Sequence, residues 1–408
     1  MSATPDRPLS GYRVLDLSRI LAGPYCTMML ADQGADVIKV ERPGVGDDTR
    51  RWGPPFVEAS EGEAISSYYL SCNRNKRSIT IDLKSEAGRR LVRELAAQSD
   101  VVVHNFMPGQ MEAFGLGYEV LAALRPGLVF AAISAYGQDG PYADRPGYDM
   151  VLAAVGGMMH ITGEQGGPPT KPGVALTDVL TGVHAAGAIT AALLYRERTG
   201  LGQQLDLSLL DVEVASLANV ASSYLTAGRE ATRWGTAHAS IVPYQVFTAS
   251  DRPIAVAAAN ERMWADLCAA LEQPEWLADE RFATNAARVE HRRVLLPKIA
   301  EVLLTRTSDE WMQRLVAAKV PCGPVNDMAH LFADPQVAHR GMVTTVDHPT
   351  LGELRLVASP VRSDVAQPDP AGSRRHPPLL GEHTEQILAE VLGYDAEAIA
   401  GLRSGSAI

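Results

Sequence analysis

Five short, β-branched runs alternate with helical stretches over the first part of the chain, and this alternation constrains the fold more than any other feature. They are YRVLDLS (12–18), ADVIKVER (35–42), RSITIDL (77–83), DVVVHNF (100–106) and LVFAAISAY (128–136). Strands separated by helices pair in parallel and are covered on both faces, so the pattern predicts an α/β fold built on a parallel sheet. The clearest helix is SEAGRRLVRELAAQS (85–99), with Ser85 as N-cap and Leu91, Val92 and Leu95 at helical spacing. Another opens near Gly23-Pro24 and stops at Gly34, with proline in the first turn and glycine past the last.

Further along, QQLDLSLLD (203–211) reads as one more strand followed by a helix to about Gly228, and REATRWGTAHASIVPY (229–244) as a polar loop. YQVFTAS and RPIAVAAAN suggest a hairpin leading into helices over 262–271, 286–304 and 308–319. A strand pair over 342–361, a Pro-rich extended connector over 363–378 and a helix after GEHTEQ complete the chain. The division expected is 1–225 as the first part of a large domain, 226–327 as linker and small α+β domain, and 328–408 as a return to the large domain with C-terminal helices.

Composition narrows the function classes. A formal charge of -11 disfavours a polyanion-binding surface. Basic residues nonetheless gather at Arg42, Arg50, Arg51, Arg74, Lys76, Arg77 and Lys84, either as a solvated face or as an anion-binding mouth. Cys26, Cys72, Cys268 and Cys322 are scattered without a C-x-x-C pair, which argues against a disulfide framework or a cysteine zinc site. The beginning, MSATPDRPLSG, is polar with no apolar stretch behind it, and no uninterrupted apolar run is long enough for a membrane span. A cytoplasmic protein binding neither membrane nor nucleic acid is expected. The turn after the first strand lacks G-x-G-x-x-G, and G-x-x-x-x-G-K-[ST], G-x-S-x-G, H-x-H and H-E-x-x-H are all missing, so nicotinamide, P-loop, hydrolase and metal readings lack support.

What remains is a carboxylate. In KPGVALTDVLTGVHAAGAITAALLYR (171–196), Asp178 stands at the mouth of a long apolar, small-residue helix. Either Thr177 or Asp178 caps that helix, or a half-buried Asp178, compensated by free helix-start N–H groups, serves as a nucleophile. Gly-rich turns at Gly156-Gly157 and Gly163–Gly167, and the loop WGTAHASIVPY (234–244), either make turns or bring main-chain donors to a reacting oxygen.

The ordered set DLSRILAGPYC (16–26), GADVIKVERP (34–43), NKRSITIDLK (75–84), HNFMPG (104–109), AYGQDGPY (135–142), PGVALTD (172–178), PCGPVN (321–326) and PLLGEHT (378–384) resembles the class III coenzyme A transferases. Formyl-CoA:oxalate and carnitine CoA-transferases and α-methylacyl-CoA racemase are relatives within that group. The resemblance implies an interlocked homodimer, each subunit with a Rossmann-like large CoA-binding domain and a small domain. It carries the nucleophile to Asp178 and the CoA contacts to Arg19, Arg42, Ile81, Lys84, Asn105, Phe106 and Phe114, turning the basic cluster into a phosphate-binding surface. Acyl-CoA and a carboxylic acid are then the substrates, with no metal.

Two departures matter within that resemblance. Racemases carry a His where Tyr148 stands here; a phenol, with an ordinary pKa near 10, is a poor base at neutral pH. Asp178 and Tyr148 are thus the candidate catalytic residues, and transfer is favoured over the rival reading, a 2-methylacyl-CoA racemase. Leu21 replaces the glutamine of the formyl-CoA enzymes, which argues against oxalate. The loop with His238 and Pro243-Tyr244 resembles that of succinyl-CoA-dependent dicarboxylate transferases. Arg50 or Arg51 is expected to hold the distal carboxylate, and Glu164 and His238 have no assigned role.

Overall fold

The computed structural model describes residues 7–362 and 375–408, so the connector's first part, 363–374, lies outside the described residues. Six strands form one parallel sheet: β1 (Arg13–Asp16), β2 (Asp36–Glu41), β3 (Lys76–Thr80), β4 (Val101–His104), β5 (Val129–Ser134) and β6 (Gln203–Ser208). Their order across the sheet is β3-β2-β1-β4-β5-β6. The chain first builds outward on one side of β1 and then crosses to the other. That reversal leaves a crevice beyond the carboxyl ends of β1 and β4, where doubly wound sheets bind ligands.

Side-chain alternation along the strands explains the two buried layers. Leu15, Ile38, Ile79, Val102 and Phe130 pack on one face with Leu91, Val92 and Leu95 of a helix, and Val14, Val37, Val101 and Val129 point to the other. Here α1 (Ala22–Asp32) and α4 (Leu176–Thr199) cover the second face, while α2 (Glu86–Ala97) covers the first and α3 (Asp149–Val155) and α5 (Leu209–Ser216) flank the α4 entrance. Ser85 caps α2, its hydroxyl accepting from the Gly88 N–H at 2.9 Å. By length and composition α4 could cross a membrane. In the fold its small residues let it lie against α1: a Cβ on Gly182 would stand 2.8 Å from the Ala22 carbonyl oxygen.

The described chain divides into two compact units, the second comprising Met159–Lys171 and Gly228–Pro335. Within it an antiparallel sheet of β7 (Tyr244–Thr248), β8 (Pro253–Ala257) and β9 (Cys322–Pro324) packs around Trp264, Phe282 and Trp311. The single helix expected over 286–304 is two, Asn285–Glu290 and Arg292–Leu303, because His291 leaves helical geometry at φ -97° and ψ 20°. A hairpin of β10 (Val343–His348) and β11 (Gly352–Val357) belongs to the first unit. All four cysteines are free, and three are buried.

The α1–α4 contact is testable. Gly182→Ala forces a methyl against backbone that cannot rotate away, and overpacking of this kind costs roughly 1–3 kcal/mol. A lower thermal midpoint by calorimetry, lower still for Gly182→Val, is the expected outcome.

Candidate active site

Two cavities open where the strand order reverses. One, of about 260 Å³, lies beyond β1, β2 and β3 and is walled by Arg19, Arg42, Ile81, Lys84, Phe106 and Phe114 among others. The second, of about 300 Å³, lies beyond β1, β4 and β5 and is walled by Leu21, Asn105, Phe106, Tyr148 and Asp178. Arg19, Phe106 and Gln110 belong to both. The two cavities are therefore halves of one crevice, meeting at the loop that follows β1. The structure brings together there every residue that the resemblance marks as a CoA contact, together with Asp178 and Tyr148.

Local geometry decides what each can offer. Asn105 braces the main chain of Arg19, its Oδ1 accepting from the Arg19 N–H at 2.9 Å and its Nδ2 donating to the Arg19 carbonyl at 2.7 Å. The Arg19 guanidinium, half exposed, pairs with Asp48 at 2.9 Å and stands 6.0 Å from the Phe106 ring centre. Arg42 and Lys84 make no ion pair among the described residues, so their charges are available to an anion. Ile81 belongs to the core and lines the cavity wall, its N–H donating to the Glu41 carbonyl at 2.8 Å.

Four other cations of the basic cluster are engaged inside the protein. Arg50 donates twice to Glu41, each at 2.7 Å, and also to the Tyr69 hydroxyl and the Pro378 carbonyl. Lys76 pairs with Asp16 at 3.2 Å, Arg74 with Asp32, and Arg77 with Asp36 at 2.6 Å. A buried cation needs a partner, and these have found theirs inside the protein. Neither Arg50 nor Arg51 lines these two cavities, and the Arg50 guanidinium is engaged by Glu41.

Asp178 sits in the first turn of α4, whose N-cap position is Ala175. Neither Thr177 nor Asp178 caps the helix with its own side chain. That service comes from Asp149, at the start of α3: its Oδ1 accepts from the Thr177 N–H at 2.9 Å and the Asp178 N–H at 3.3 Å. The amides that could have compensated Asp178 are thus taken by a second carboxylate. Burial, then the negative charge of Asp149, push the Asp178 carboxyl up to about 7. A carboxylate so destabilised is more basic and more nucleophilic than an ordinary aspartate.

Three neighbours escaped the sequence reading. Asp149 directly follows Tyr148, and its role depends on α3 meeting α4. Glu213 of α5 is almost wholly buried and accepts from the Thr177 hydroxyl at 2.7 Å; burial raises its pKa, with the charge of Asp149 adding to the shift. Tyr68 packs with Leu21, Ala175 and Val179, and its phenol is pushed up to about 12 by burial and by Asp178. No spacing signal marks Glu213 or Tyr68. In the second unit, the His238 ring lies 5.5 Å from that of Tyr244 and its Nδ1 accepts from the Ser240 N–H, while Glu164 lies beside Gly235. Among the described residues no group of three or more His, Cys, Asp or Glu is placed to hold a metal ion.

Comparison with known proteins gives the family. The family model for CoA-transferase family III matches residues 9–384, and the chain belongs to that family. It is a CoA-transferase. The chain is 46% identical over 402 residues to a succinyl-CoA:glutarate CoA-transferase of Homo sapiens, covering 98% of this chain and 90% of that one. It is 44% identical to a succinate–glutarate CoA-transferase of Agrobacterium fabrum, covering 96% and 98%. Among solved structures, a CaiB/BaiF family protein from Brucella suis superposes with a TM-score of 0.83 at 43% identity, covering 95% of this chain and all of that one.

Two pH effects follow. The ionised fraction of Asp178 grows as pH rises through about 7, so if that carboxylate is the nucleophile that the resemblance implies, kcat/KM rises over that interval. Asp149→Asn keeps an acceptor for Thr177 but removes the charge, and should move the rising limb to lower pH. Stability runs in the opposite sense. Asp178 holds its proton more tightly folded than unfolded, so its ionisation costs stability increasingly from about pH 4 up to about 7. Asp178→Asn should therefore raise the thermal midpoint near neutral pH, by a margin that vanishes towards pH 4, as followed by calorimetry across pH.

Proposed function

We propose that the chain moves CoA from succinyl-CoA to a dicarboxylic acid of the glutarate type, working through Asp178. The observation that carries this is the position of that carboxylate, in the wall of one half of the crevice, while Arg42 and Lys84 flank the other. A CoA thioester lying along the crevice has its phosphates near the cations and its acyl carbon near Asp178. The two relatives named for succinate and glutarate support the substrate pair.

In this reading the Asp178 carboxylate adds to the thioester carbonyl and expels CoA thiolate, leaving a mixed anhydride. The thiolate attacks the Asp178 carbonyl, releases succinate, and forms an aspartyl-CoA thioester. The acceptor carboxylate then adds to that thioester, again expelling thiolate, which reacts at the acceptor's acyl carbon and returns Asp178 as a carboxylate. Donor, enzyme and acceptor are all carboxylates, so successive steps are nearly isoenergetic. The start of α1 helps. Leu21 gives its helix no side-chain cap, and Ile20, Leu21 and Ala22 wall the same half-crevice; with Pro24 lacking an N–H and that of Tyr25 bonded to the Leu21 carbonyl, the N–H groups of Ala22 and Gly23 are the first-turn donors left for a developing oxyanion. Tyr148, 60% exposed, offers a hydroxyl to substrate rather than a base.

We read the active form as a homodimer. Val183, Leu194, Tyr195, Val214, Tyr224 and Leu225 are exposed on α4, α5 and the following helix, which suits a covered face.

The test combines succinyl-CoA with acids of increasing length and reads new thioesters by mass. Glutarate should give glutaryl-CoA with the wild type, while Asp178→Ala should lose at least about 10³-fold in rate, as for removal of a covalent nucleophile. Deuterium appearing at the α-carbon of a chiral acyl-CoA, without any acceptor acid, would instead establish the racemase reading.

A further inference from the structure

Residues 17–21 join β1 to α1, and Arg19 among them reaches both halves of the crevice. At its centre Ile20 has φ 74°. A β-branched side chain enters that left-handed region only against a steric cost, and such residues persist where the surroundings hold them. The surroundings here are ionic. Both Asp47 oxygens lie within reach of the Ile20 N–H, at 3.2 and 3.3 Å, and Asp47 also accepts from the Thr49 N–H and hydroxyl. Lys39 grips Asp47 at 2.9 Å, with neither side chain reaching solvent, and donates to the Ser18 carbonyl at 2.9 Å. Asp16, paired with buried Lys76, accepts from the Ser18 N–H at 2.9 Å. The bend is thus held at both of its ends.

Stability alone does not call for this arrangement, because buried ion pairs are commonly replaced by apolar pairs at little cost. Its geometry favours another role. We infer that Asp47, clamped by Lys39, is a positioning residue: its carboxylate keeps Ile20 in the left-handed bend and so fixes the Arg19–Leu21 wall that shares a half-crevice with Asp178. The inference rests on the reading of that half-crevice as the thioester site. Asp47 acts through the main chain of Ile20, its own side chain being buried against Lys39. Without the clamp, Ile20 relaxes towards negative φ and the first-turn amides of α1 shift relative to Asp178. A displacement of about 1 Å at a reacting centre can cost roughly 10²-fold in rate.

Glycine supplies the bend without help, having no Cβ to clash, and this gives the test. The clamp is removed as Lys39→Met with Asp47→Leu, so that no lone charge is left buried. The pair of substitutions is made with Ile20 and with Ile20→Gly, and folding is checked by circular dichroism. With Ile20 in place, kcat should fall about 10²-fold while KM for succinyl-CoA changes far less. In the Ile20→Gly background the same removal should cost at least about tenfold less, the coupling expected of residues that act on one another. Equal losses in both backgrounds, or an undiminished kcat without the clamp, would overturn the inference. Should the clampless protein with Ile20 fail to fold, hydrogen exchange on folded Asp47→Ala, which leaves the Ile20 amide no side-chain acceptor, decides: faster exchange of that amide than in wild type supports the clamp, and unchanged exchange refutes it. Labelling of wild-type Asp178 by succinyl-CoA is followed alongside. Its absence would remove the thioester reading while leaving the exchange result to judge the clamp by itself.

Discussion

One carboxylate occupies the amides that another would need. Asp149 accepts from the first-turn N–H groups of α4, and Asp178, the third residue of that helix, is left half-buried beside a like charge. The rest of the crevice has meaning only around this conflict. Had Asp178 capped its own helix, its charge would have been stabilised by the amides and its reactivity lowered. The contrast with Asp47 is instructive: burial would raise that carboxyl too, yet Lys39 and Thr49 hold it at about 2. Two aspartates bordering the same crevice are driven apart by their partners, one held ionised and one pushed towards neutrality.

The parallel sheet makes the conflict possible. Its order β3-β2-β1-β4-β5-β6 opens the crevice between β1 and β4, and α4 packs against α1 closely enough, through Gly182, for Asp178 to wall the cavity that α1 begins. The charges beneath the sheet's carboxyl edge are nearly all engaged with each other. Among the described residues, Arg42, Lys84 and the loosely paired Arg19 are the cations that this crevice turns outward, so an anionic ligand meets a small number of well-placed charges within an otherwise acidic protein.

Much of this is legible in the amino-acid order. The strands show as β-branched runs buried on both faces, and Ser85 by its place ahead of a helical period. Asp178 stands out as the lone acid opening an apolar helix. Pairing is what one dimension hides. Arg50, Arg74, Lys76 and Arg77 look like a binding surface along the chain, because nothing in their spacing says that Glu41, Asp32, Asp16 and Asp36 lie opposite them on neighbouring elements. Asp149 and Glu213 are invisible for the same reason, since α3 and α5 meet the start of α4 only once the sheet has closed. The left-handed bend at Ile20 leaves no trace either, for an isoleucine gives no hint of a conformation that its own side chain opposes.

The most direct measurement is the titration of Asp178 itself, by isotope-edited infrared spectroscopy of aspartate-labelled protein with Asp178→Asn as the difference reference. A carboxyl band that persists to near neutral pH and disappears with a midpoint of about 7 is expected, with the midpoint falling in Asp149→Asn. A midpoint in the ordinary carboxylate range of about 4, unmoved by that substitution, would contradict the claim that Asp149 leaves Asp178 uncompensated.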